Sequence, residues 1–116
     1  MTAGRVTMAY GFGDIVDAYR TLDIKKGDVV YVVSELWRLR KFDAGDDAES
    51  IAGGHYGALR EVVGDAGTIV VSTASTNLCN TDIPFDVEQT PSHQMGILSE
   101  YVRLLPDARR SFHPFI

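Results

Sequence analysis

The segment Val29-Val30-Tyr31-Val32-Val33 constrains this chain more than any other. Five apolar, mostly β-branched residues follow a Lys25-Lys26-Gly27-Asp28 turn and read as a strand. With no polar alternation, neither face is marked for water, which is the pattern of a strand buried on both sides in a parallel sheet. Gly67-Thr68 opens a second such run, Ile69-Val70-Val71, which ends in Ser72-Thr73.

Helical periodicity fills the intervals. Residues 13–22 place Ile15, Val16, Tyr19 and Leu22 on one face. Residues 48–63 carry an apolar stripe of Ile51, Leu59, Val62 and Val63, and Gly64 is placed to stop that helix. Gly53, Gly54 and Gly57 lie inside it, each costing up to ~1 kcal/mol relative to alanine, so close packing or a nearby ligand is expected there. Ser92 is read as the cap of a third helix reaching Leu105, with Pro106 after its last turn. Between them, residues 74–90 form a long polar loop of the kind that is often functional. Residues 109–112 are expected to begin a third strand. The order implies an α/β fold: a layered, mostly parallel sheet with flanking helices and right-handed crossovers, as one domain over residues 1–116.

Composition excludes several classes. The formal net charge is -5, which argues against nucleic acid or an anionic membrane as partner. No apolar run is long enough to span a bilayer, and residues 1–10 do not read as a secretory signal. Cys79 is the single cysteine, so no internal disulfide forms and a reducing, cytoplasmic setting is expected. His55, His93 and His113 are too scattered for a helical zinc motif, and no metal is expected. Gly53-Gly54-His55-Tyr56-Gly57 lacks the Lys-Ser/Thr ending of a phosphate loop and does not follow a strand. The acidic residues Asp43, Asp46, Asp47 and Glu49 are read as a solvated loop, and Glu100 with Arg103 as a surface ion pair.

Three clusters remain. Ser34 and Glu35 follow the first strand, and Ser72, Thr73, Ser75 and Thr76 follow the second. Ligands of open α/β sheets bind at such carboxyl ends. The third cluster, Arg110-Ser111-Phe112-His113, follows the last helix. Convergence of these clusters on one sheet edge would make a binding site.

In order, the segments resemble the aminoglycoside 3-N-acetyltransferase family. The matching pieces are Gly27 to Leu36, Gly67 to Val71, Phe85-Asp86 with Thr90-Pro91-Ser92, Gly96 to Arg103, and Pro106 to Pro114 with its Arg-Ser-x-His-Pro element. The resemblance runs from about Asp14 onward and covers the N-terminal part of the family's usual length. It implies transfer of an acetyl group from acetyl-CoA to an amine of an aminoglycoside or related amino sugar, without a metal. It implies that Ser34, Glu35 and Leu36 line the donor channel, that Thr73, Arg110 and Ser111 lie near the donor, and that His113 and Asp86 are substrate-adjacent.

The family usually has a histidine and two serines where this chain has Val33, Ser34 and Glu35. The family's catalytic base is a histidine placed well downstream of the Arg-Ser-x-His-Pro element. None of the residues here is therefore assigned as catalytic, and a base beyond Ile116 is expected, with the chain an incomplete and inactive piece. Association into a homo-oligomer is left open. A small non-catalytic α/β module binding a nucleotide or a partner protein is the competing reading.

Overall fold

A computed structural model describes residues 9–39 and 41–113. The elements run β1 (Ala9–Tyr10), α1 (Phe12–Thr21), β2 (Val29–Val32), a 3-10 turn (Leu36–Arg38), β3 (Lys41–Phe42), α2 (Ala48–Val63), β4 (Thr68–Val71), a second 3-10 turn (Thr76–Leu78) and α3 (Ile97–Arg103). Two parallel pairs form. β2 lies beside β4 with Val29 opposite Thr68 and Val32 opposite Val71. β1 lies beside β3 with Tyr10 opposite Phe42. The expectation of parallel strands with flanking helices is met, as two short pairs rather than one sheet.

Local chemistry explains the boundaries of the long helix. Asp47 caps α2, accepting from the Ser50 backbone N–H at 3.1 Å and the Ser50 hydroxyl at 2.7 Å. Gly64 ends it at φ 71°. Along the buried stripe, Ile51, Ala58 and Val62 join Ile15, Val16, Leu36, Phe42 and Leu98 in the core, so α1 and α3 both pack on α2. The glycines inside α2 serve that packing. A Cβ at Gly54 would stand 2.4 Å from the Phe42 ring, so only glycine lets β3 approach the helix this closely.

His55, one residue on, is 5 % exposed, and its Nε2 lies 2.8 Å from the Tyr10 hydroxyl. The same Tyr10 ring packs at 5.3 Å from Phe42. β1 is thus held to α2 by one part-buried hydrogen bond and an aromatic cluster. Burial lowers the His55 pKa below its ordinary value.

Three sequence expectations change. The β2–β4 sheet is covered on one face only: Val29, Tyr31 and Val33 are 72 %, 60 % and 79 % exposed, whereas Val32 packs against the core. A continuous apolar run reports hydrophobicity on both faces, but not whether a second layer is present to cover them. Residues 109–112 do not form a strand; the segment is held instead by Arg110 side-chain bonds to the Thr90 and Thr73 carbonyls. The last helix begins at Ile97, with Gly96 rather than Ser92 as its N-cap. Gly96 adopts φ 94°, and a Cβ there would lie 2.9 Å from the Ser34 carbonyl oxygen, so the chain enters α3 directly against the end of β2.

Candidate donor-binding cleft

The close approach of Gly96 to Ser34 shapes one side of a cleft at the carboxyl ends of β2 and β4. Its volume is about 540 Å³, and its walls include Ser34, Glu35, Leu36, Ser72, Gly96 and Ser99. The turn after β2 places Ser34 half-buried and turns Leu36 inward, leaving it 7 % exposed. Glu35 stays on the rim, where its carboxylate accepts from Arg38 Nε at 2.8 Å. That ion pair matches the Glu35 charge with a neighbour on the same turn. Across the sheet, the Tyr31 hydroxyl hydrogen-bonds the Ser72 hydroxyl. Two hydroxyls sharing one hydrogen leave one O–H to donate elsewhere, so the pair adds a donor to the wall.

Ser72 apart, the second cluster meets the third beside this cleft rather than inside it, through Thr73, Ser75 and Arg110. The Arg110 guanidinium donates to the backbone carbonyls of Thr90 and Thr73, the latter at 2.6 Å, and to the Ser75 hydroxyl at 3.0 Å. It also lies 4.7 Å from the Phe85 ring centroid. Ser75 is fully buried and donates to the Pro91 carbonyl at 2.9 Å. Burial first, then repulsion by Arg103, lowers the Arg110 pKa, offset in part by attraction to Glu100. The planar fork of Arg110 thus ties both ends of the 73–90 loop to the segment after α3.

A second arginine does similar work. Arg103 donates to Glu100 at 2.7 Å and to the Glu88 carbonyl at 3.2 Å. Glu100 in turn accepts from the backbone N–H and hydroxyl of Ser92, both at 2.8 Å. Burial would raise the Glu100 pKa, but the bonds from Arg103 and Ser92 and the Arg103 charge outweigh it and hold the carboxyl at about 2. This pair is not the surface bridge expected from sequence: the Arg103 side chain is 8 % exposed.

Of the residues singled out from sequence, Ser34, Glu35 and Leu36 line the cleft. Thr73 and Arg110 are bonded to one another behind it. Ser111 and His113 continue from Arg110 on exposed chain, and Pro114 lies outside the described residues. Asp86 is engaged in its own loop, its Oδ1 accepting from the backbone of Glu88 at 2.8 Å and Gln89 at 3.0 Å. Sequence reasoning passed over Tyr31, Trp37 and the Gln94-Met95-Gly96 bend, all on the cleft wall. The glycine before an apolar helical stretch was their available signal. Among the described residues, no cluster of His, Cys, Asp or Glu could hold a metal ion. No described helix is long and apolar enough to cross a membrane.

A family model described as aminoglycoside 3-N-acetyltransferase matches residues 34–116, a span that contains the turn after β2, the 73–90 loop and the Arg110 clamp. The chain belongs to this family. Solved structures agree. A mutant of the aminoglycoside acetyltransferase AAC(3)-IVa in complex with gentamicin aligns with TM-score 0.76 at 28% identity, covering 92% of this chain and 38% of that one. The YokD protein from Bacillus subtilis aligns with TM-score 0.74 at 26% identity, covering 90% and 46%. AAC-IIIb, in a binary structure with CoASH, shares the fold with TM-score 0.71 at 20% identity, covering 92% and 44%. The chain therefore spans less than half the length of these structures. A search of curated proteins finds no match.

Proposed function

We propose that this chain supplies the donor-binding part of an acetyl-CoA-dependent N-acetyltransferase that modifies an amino group of an aminoglycoside or related amino sugar. The observation that carries the reading is the convergence of Ser34, Glu35, Leu36 and Ser72 on one cleft at the carboxyl ends of parallel strands. Support comes from two relatives, one solved with CoASH and one with gentamicin.

The wall chemistry fits an extended donor. Its hydroxyls can hydrogen-bond the amides and carbonyls of a pantetheine arm, and Leu36 and Ile97 offer apolar contact. Acetyl-CoA supplies an acetyl group activated as a thioester. The residues of the cleft hold and orient it, while the Arg110 clamp fixes the loop that follows β4. In this reading Arg110 and Thr73 act by shaping the cleft, and Ser111, His113 and Asp86 lie toward the acceptor. An attacking amine must lose a proton to a base. That base is proposed to lie in the part of the family's length that this chain does not span.

Isothermal calorimetry with acetyl-CoA tests the reading, with gentamicin added afterwards and the mixture followed for acetylated product. Saturable donor binding without turnover is expected. Cooperative folding with no heat of donor binding and no ligand-induced rise in Tm would favour a small non-catalytic binding module instead. Acetylated gentamicin formed by this chain alone would refute the placement of the base.

A further inference from the structure

Trp37 is the middle residue of the first 3-10 turn and is 60 % exposed. It lines the donor cleft and also a second cavity of about 700 Å³ between α2 and α3. Gln94, Met95, Gly96 and Ile97 are the other residues common to both walls. The indole and this short bend therefore form the partition between two adjoining compartments.

Two features show that the partition is built. Gln94 and Gly96 have φ 56° and 94°, so two left-handed residues are spent within three positions. A non-glycine residue at positive φ is held only where its surroundings over-determine it, and such residues gather at ligand sites. Gly96 is pressed against the Ser34 carbonyl, which fixes the bend to the same turn that carries Trp37. An exposed indole is a costly surface to leave in water and a good one for stacking, with one polar N–H at its edge. The compartments also differ in charge. Glu49 lines the α2–α3 cavity together with Glu100, which Arg103 matches, whereas the donor cleft carries hydroxyls and the matched Glu35–Arg38 pair.

We infer that Trp37 is a ligand-contacting residue of the donor cleft: its indole packs along the uncharged arm of a bound coenzyme A and closes the cleft toward the α2–α3 cavity. The inference rests on the donor-binding reading above and adds to it a ligand-contacting residue.

Trp37 is the only tryptophan in the chain, so its emission reports this position alone. The test titrates CoA into the wild-type chain with calorimetry and Trp fluorescence read in parallel, then repeats the calorimetry on Trp37→Ala and Trp37→Phe. Saturable change in emission with the calorimetric Kd is expected, with reduced acrylamide quenching at saturation. Stacking energies of aromatic contacts set the size of the effect: Trp37→Ala should weaken CoA roughly 3- to 10-fold, and Trp37→Phe should recover most of it. Both variants should melt with the wild type, since the side chain is largely exposed. CoA binding with unmoved emission and an unchanged Kd in Trp37→Ala would overturn the inference while leaving the donor reading intact. Absence of CoA binding to the wild type would overturn both.

Discussion

Glu100→Gln tests the reasoning about the loop most directly. The carboxylate accepts two bonds from Arg103, at 2.7 and 2.9 Å, and two from Ser92, both at 2.8 Å. A glutamine keeps the shape but turns an NH₂ group toward a guanidinium, and it leaves an Arg103 that is 8 % exposed without its counter-charge. The ordinary carboxyl value of 4.5 falls to about 2 here. A shift of this size corresponds to about 3 kcal/mol at ~1.4 kcal/mol per unit. The Glu100 side chain is 33 % exposed, and solvent screening reduces the figure to about 1.5 kcal/mol.

The sign follows from linkage. A depressed carboxyl pKa stabilises the fold fully above 4.5, and the contribution is lost as pH falls through about 2. Urea unfolding followed by far-UV circular dichroism at a series of pH values reads both effects. At pH 7 the variant should be less stable by about 1.5 kcal/mol, and its decline between pH 5 and pH 2 should be shallower by about the same amount. A variant within ~0.3 kcal/mol of wild type at neutral pH, or one whose acid profile runs parallel to it, would show that this pair is an ordinary surface bridge.

Other perturbations probe separate parts of the fold. Arg110→Lys should cost about 1–2 kcal/mol, because one ammonium cannot bridge the Thr73 and Thr90 carbonyls as the guanidinium does, and limited proteolysis should cut residues 74–90 faster. An uncleaved loop with unchanged stability would count against the clamp. His55 has a folded-state pKa below the ordinary 6.5, so the protein should lose stability as pH falls below that value. His55→Gln should flatten the pH 5 to 7 range of a denaturation series, and a wild-type series already flat there would contradict the assignment. Gly54→Ala should destabilise by about 1–3 kcal/mol through collision with Phe42, whereas Gly57→Ala, 3.3 Å from the edge of exposed Phe12, should be far milder. Equal thermal melts for the two alanine variants would refute the close approach of β3.

Legibility in the sequence varied with how local the cause was. The end of α2 follows from Gly64, which acts through its own backbone neighbourhood and is evident in the chain, whereas Asp47, read as part of a solvated loop, turns out to cap its start. The glycines of α2 announced close packing, but Phe42 as the packing partner is remote in sequence. Ser92 has the residue type of a cap and four residues of bend still to come before the helix. It spends its N–H and hydroxyl on Glu100, a choice made by the fold. The Arg-Ser-x-His-Pro element was visible as a cluster, yet its arginine works as a clamp on Thr73 and Thr90.

By itself the sequence determined two apolar strands, the helices between them and the hydroxyl-bearing turns at their carboxyl ends, because periodicity and turn chemistry act over a few residues. It also carried the family resemblance that the comparisons bear out. Only the tertiary structure decided that one face of β2–β4 is open, that Arg110 serves the 73–90 loop, and that Trp37 and Gly96 share a wall. Those outcomes depend on which distant groups meet, and on the free energy of satisfying buried charges and carbonyls once they do.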